Sequence, residues 1–118
     1  MRKLFNVLLV LNFLVEAMAA ASLIGGPDGL AAAGRGGLWS MHYGFAALAI
    51  ASVSLWIWPY RSDGKAVTAV LGLLLTFHSG LVVSLAAAGD QAVGLVLHVV
   101  LASLSALLFA RRGRLTAP

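Results

Sequence analysis

Four ionisable side chains stand inside otherwise apolar stretches of this chain: Glu16, His42, His78 and His98, with Asn12 one helical turn before Glu16. A carboxyl and imidazoles are the groups that hold protons and cations. Burying such a group in a bilayer costs about 3 kcal/mol on insertion scales, so each one marks a candidate site. Three chemistries follow. Glu16 could bind a proton or a cationic substrate while the histidines relay protons, as in a proton-coupled transporter. His78 and His98 could be axial ligands of a b-type haem or, with Glu16 or His42, could ligate a metal. His98, His42 and Glu16 could ligate a metal ion. The plainer alternative is structural: a neutral imidazole can hydrogen-bond a serine or a carbonyl across a helix interface, and Glu16 can bond Asn12 or Ser22.

The elements that must position these groups are membrane-length helices. Of 118 residues, 61% are hydrophobic and 10% are charged, against roughly half and a quarter in soluble domains. The composition predicts a single-domain integral membrane protein. A span needs ~20 apolar residues, and four segments qualify: about 4–24, 39–58, 66–88 and 92–110. Gly25-Gly26-Pro27-Asp28-Gly29, Pro59 through Gly64 and Gly89-Asp90 punctuate them, because glycine and proline continue a helix only at a cost. The outer loop, 25–37, is rich in glycine and alanine, and Ala31 to Ala33 could make one helical turn.

Charge placement predicts orientation. With the N-terminus inside, Arg2, Lys3, Arg61, Lys65, Arg111, Arg112 and Arg114 are cytoplasmic and only Arg35 is outside, a marked positive-inside bias. Trp39 then suits the outer interfacial belt, and Trp56, Trp58 and Tyr60 the inner one. The expected fold is all-α: an integral membrane four-helix bundle, up-down-up-down, with both termini on the cytoplasmic side of a bacterial-type inner membrane. Residues 1–22 also resemble a signal peptide, with a basic start and Ala17-Met18-Ala19-Ala20 in the manner of an A-x-A site. Asn6, Asn12 and Glu16 inside a long apolar run favour a retained first span.

Several function classes are excluded or unadvertised. The net charge of +4 sits in short clusters between oily segments and not along one face, so a nucleic-acid partner is not expected. The absence of cysteine excludes disulfides, thiolate metal sites and thiol catalysis. No phosphate-binding loop, H-E-x-x-H or G-x-S-x-G motif occurs, and the expectation is a protein without enzymatic activity.

Depth and facing rank the candidates. At ~1.5 Å per residue, His78 lies ~15 Å below the outer end of its helix, His98 ~9 Å, Glu16 ~12 Å and His42 ~5 Å. A short break at 89–91 makes the last two helices antiparallel neighbours, so His78 and His98 should share a level. Asn12 and Glu16 share a face that continues into Ala19 and Ala20. His42, Ala46 and Ala49 form one stripe, and Gly94, His98, Ala102 and Ala106 another, of the small kind that lets membrane helices approach. These three faces are expected to look inward. On the third helix the small ridge is Gly72, Thr76 and Gly80, and His78 points roughly opposite: either that helix packs on two sides, or His78 faces a partner subunit or a lipid-like ligand. Ser79, Ser84, Ser103 and Ser105 are expected to bond back to their own helices.

Two resemblances bear on function. Glu16 midway along the first of four spans, followed by Ala17 and a small run to Ser22, resembles the small multidrug resistance exporters. The chain lacks their aromatic-glycine patterns in the second and third spans, and its charge bias argues against dual insertion. Over nearly its whole length the chain resembles the DoxX-like small four-helix membrane proteins, through the proline-glycine outer loop, Arg35-Gly36-Gly37-Leu38, Gly44 and Asp90. That resemblance implies an accessory subunit or ligand-binding bundle without catalytic chemistry of its own. Its expected surroundings are the lipid bilayer and a larger membrane complex or homo-oligomer. The reading that results is a polar site in the outer half of the bundle, built on Glu16 and His98.

Overall fold

A computed structural model of the chain describes residues 1–32 and 38–115. All its regular structure among those residues is helical. Four long helices, α1 (Arg2–Gly25), α2 (Leu38–Trp56), α3 (Gly64–Ala88) and α4 (Ala92–Ala110), are joined or followed by short 3-10 turns at Leu30–Ala32, Trp58–Tyr60 and Arg112–Arg114. The four expected segments are therefore helices, with ends within two residues of those read from the sequence. Of the expected surface turn, Leu30–Ala32 is present, while Ala33 lies outside the described residues, as do Arg35, Gly36 and Gly37. By length and composition α1, α3 and α4 can cross a membrane.

The chain divides into two compact units, Met1–Leu9 with Ile57–Pro118, and Val10–Trp56. The boundary falls within α1.

The first unit is organised by the hairpin of α3 and α4. Asp63 starts α3: its side chain accepts the backbone N–H groups of Lys65 at 2.8 Å and Ala66 at 3.0 Å, donors that a helix start would otherwise leave without partners. Gly89 ends α3 at φ +75°, a left-handed conformation that glycine adopts without steric cost, and its N–H donates to the Leu85 carbonyl at 3.0 Å. Only residues 89–91 intervene before α4. As α3 is read backwards through Leu85, His78 and Gly72, its partners on α4 run forwards through Gly94, His98 and Phe109. The helices are therefore antiparallel. Each presents a narrow seam at three- and four-residue spacing: Val67, Leu71, Leu74 and His78 on α3, and His98, Leu101, Ser105 and Leu108 on α4. That spacing is the seam of left-handed helix pairs.

At the polar end of this unit, Arg61 stacks over the Trp58 ring at 3.9 Å. It donates through Nε to the Trp58 carbonyl at 2.6 Å and through Nη1 to Asn6 Oδ1 at 3.4 Å. Arg112 lies over Phe109 in the same manner, at 4.7 Å. The apolar stems and aromatic faces stay with the helices while the cations reach the aqueous boundary.

Asp63 gives this unit a pH-dependent helix start. The N–H groups of Ala66 and Lys65 hold its carboxyl below the ordinary carboxylate value. A folded-state pKa below the unfolded one means the capping contribution is complete above the ordinary range and is lost as pH falls through the depressed value. Amide exchange at Lys65 and Ala66, corrected for intrinsic rates, is expected to accelerate through that acidic window. Asp63→Ala should show the faster exchange already at neutral pH.

In the second unit, the later part of α1 packs against α2. Asn12 Nδ2 donates to the Ile50 carbonyl at 3.0 Å and to Ser54 Oγ at 2.9 Å. At the other end, Leu23 and Ile24 close on Gly44: a Cβ built there would lie 2.7 Å from Ile24 Cγ1, 3.1 Å from Leu23 Cβ and 3.2 Å from the Ile24 backbone nitrogen. This pair too is antiparallel. Its buried line on α2 is Gly44, Ala47, Ala51 and Ser54. That corrects the expected inward stripe: His42, Ala46 and Ala49 are exposed. The two lines lie on nearly opposite sides of the helix. Backbone approach at Gly44 and the hydroxyl that receives Asn12 at Ser54 decide which one is covered.

Candidate functional site

The hairpin brings together the two histidines that sequence spacing placed at one level. His78 Nδ1 and His98 Nδ1 are 3.0 Å apart. Their ring centres are 5.2 Å apart and the planes are inclined by 30°. His78 is fully buried and His98 is 6% exposed. Phe77 stands edge-on to both rings, at 5.3 Å from His78 and 6.5 Å from His98. One turn and two turns beyond His98, Leu101 and Ser105 continue the seam. The Ser105 hydroxyl is buried without a hydrogen-bond partner among the described residues, so the expected bond back to its own helix is not made.

Equal depth was legible in the sequence, but the facing of His78 was not. The sequence left its facing open between packing on two sides of the helix and an outside partner, because Gly72, Thr76 and Gly80 form a small-residue ridge on the other side. In the structure Thr76 and Gly80 are exposed, and His78 lies among the buried residues of α3. The physical reason is that leucine is as comfortable in lipid as against protein, so a leucine-rich surround says nothing about direction. The polar ring itself is the better indicator, since intramembrane ionisable groups face protein or water. On α4, His98 is buried as expected, but its companions are Leu101, Ser105 and Leu108, and Ala106 is exposed.

A 3.0 Å separation between two ring nitrogens is a hydrogen bond. One imidazole must present Nδ1–H and the other its Nδ1 lone pair; with both rings neutral they are opposite tautomers, one with its proton on Nδ1 and the other on Nε2. The ring separation argues against haem. Axial rings across an iron have their centres ~6 Å apart, a metal–nitrogen length of ~2 Å plus a nitrogen-to-centre length of ~1.1 Å on each side, against 5.2 Å here, and a porphyrin plane does not fit between rings in direct contact. The bis-histidyl haem reading is thus in conflict with the geometry of this pair.

The second unit holds the remaining sequence candidates. Glu16 and Asn12 are both fully buried on one face of α1, followed by buried Ala20, as the four-residue spacing predicted. The Asn12 amide ties α1 to α2 through Ile50 and Ser54. His42 is exposed and sits 6.5 Å from the Trp39 ring in an edge-to-face arrangement. It is therefore not among the buried candidates. The residue that sequence reasoning missed is Ser54. Its signal was present: Gly44, Ala47, Ala51 and Ser54 form a line of small residues at three- and four-residue spacing, ending in a hydroxyl.

Comparisons of the chain with protein-family models, with curated proteins and with solved structures give no match.

Proposed function

We propose that this chain is a non-enzymatic membrane protein, an accessory subunit or ligand-binding bundle, whose polar site is centred on His78 and His98. The observation that carries the reading is the 3.0 Å contact between their Nδ1 atoms, inside a hairpin whose two helices can each cross a membrane. A single buried imidazole is readily explained as a structural hydrogen-bonding group. Two imidazoles from different helices aimed at one another form a place where a proton or another small cation is held. The reading includes four crossings in an up-down-up-down bundle in a bacterial-type inner membrane, with both termini cytoplasmic. The distribution of basic residues supports it: Arg2, Lys3, Arg61, Lys65, Arg111, Arg112 and Arg114 flank one side of the spans. The DoxX-like resemblance supports the accessory role.

A second reading is favoured by the complete burial of Glu16: proton-coupled transport of a small cation, with its carboxyl as the binding group. Purification in mild detergent together with flux measurements in proteoliposomes separates the two. The accessory reading expects stoichiometric larger subunits or further copies of this chain to co-purify, and no proton-coupled uptake by the isolated protein. Uptake that disappears in Glu16→Gln at unchanged expression would overturn it in favour of transport.

A further inference from the structure

We propose that His78 and His98 chelate one divalent transition-metal ion, side by side, through their two Nδ1 atoms. This rests on the reading of the pair as the polar site and names the class of cation it takes. The argument is one of distance. With metal–nitrogen lengths of ~2.0–2.1 Å, two nitrogens bound in adjacent positions of one ion stand ~2.9 Å apart at a right angle and ~3.3 Å apart at the tetrahedral angle. Bound in opposite positions they would stand ~4 Å apart. The observed 3.0 Å lies in the adjacent range and far from the opposite one.

The ring centres tell the same story. Taking ring nitrogens ~1.1 Å from their centre, tetrahedral ligation puts the two centres ~5.2 Å apart, and they are 5.2 Å apart already. Metal uptake then asks each ring to swivel so that both lone pairs converge beside the line joining them. The helices need not separate. The proton balance is equally simple: the ring that donates Nδ1–H moves that proton to Nε2, and both neutral rings then present an Nδ1 lone pair. No net proton is released.

Donor type narrows the ion. Imidazole nitrogen suits zinc, copper, nickel and cobalt, whereas calcium and magnesium require oxygen. Water or other oxygen donors complete the coordination. The anchoring of both rings on α3 and α4, with Phe77 edge-on to each, presets the pair as the supporting shell of a metal site would.

Full-length protein in nanodiscs, stripped with chelator, is titrated with Zn2+ by equilibrium dialysis and with Co2+ by visible absorption. The 15N resonances of the histidine side chains are followed in parallel. The expected result is one ion per chain, with affinity at least tenfold lower in His78→Gln and in His98→Gln and unchanged in His42→Gln. In the metal-free protein the two Nδ1 signals should show one protonated and one unprotonated nitrogen. Both should become metal-shifted on Zn2+ addition. A wild-type protein that shows the paired metal-free signals but binds no ion would overturn the metal proposal and leave the pair intact. Binding retained in the double glutamine variant would also overturn it. Metal-free signals from two unrelated imidazoles would instead overturn the reading on which it rests.

Discussion

Gly44→Leu is expected to be the most damaging single substitution in the Val10–Trp56 unit. The position a Cβ would take is already 2.7 Å from Ile24 Cγ1, and the next neighbours, Leu23 Cβ at 3.1 Å and the Ile24 backbone nitrogen at 3.2 Å, cannot turn aside as a side-chain tip can. Even Gly44→Ala should force α1 and α2 apart, at a cost of roughly 1–3 kcal/mol for overpacking a closed interface. Leucine adds three further carbons to the same crossing and should cost more. The hydrogen bonds of Asn12 to Ile50 and Ser54 would lengthen with the displacement, so the loss spreads along the pair. Gly80→Ala is the matched control, because a Cβ there meets nothing within 4 Å, and it should be neutral or mildly stabilising through helix propensity. Reversible unfolding in mixed micelles gives both values. Equal stability of Gly44→Ala and Gly80→Ala would remove the close crossing from this account.

The second large effect is expected at the histidine pair. His78→Leu and His98→Leu each take away one partner of a buried hydrogen bond and leave the other ring nitrogen without it, at a cost of roughly 1–3 kcal/mol apiece. The double variant replaces both partners with apolar groups and should cost clearly less than the two singles together. The coupling recovered from the cycle should be on the order of 1 kcal/mol, the scale of hydrogen bonds between membrane helices. Additive losses would mean that the rings do not depend on one another. The cycle also separates this site from generic packing, since Leu74 and Leu101, on the same seams, should show coupling only through shared volume.

How much of this could be read from the residues alone differs between elements. The helices were legible because apolar runs and glycine or proline breaks are one-dimensional signals: Gly89-Asp90-Gln91 marks its turn whatever the helices do next. The shared depth of His78 and His98 followed from that turn by counting. The common face of Asn12, Glu16 and Ala20 followed from four-residue spacing. Facing was legible only where a polar or backbone requirement was correctly weighed. On α3 the small ridge at Gly72, Thr76 and Gly80 competed with the line Val67, Leu71, Leu74 and His78, and on α2 the stripe through His42 competed with the one through Gly44. In water, burial of large apolar side chains would have settled each contest. Among lipids that preference vanishes, and the choice falls to close approach at Gly44, to the hydroxyl of Ser54 and to the mutual bond of two imidazoles. Pairings of this kind are made between helices, and spacing along one helix does not contain them.

The account depends most on the contact between His78 and His98. The most direct measurement is a through-hydrogen-bond 15N–15N correlation between their Nδ1 atoms in histidine-labelled protein in lipid bilayers without added metal. The account predicts a correlation linking a protonated Nδ1 on one ring to an unprotonated Nδ1 on the other, absent in His98→Gln. Two imidazoles with no correlation and with the same tautomer would contradict it.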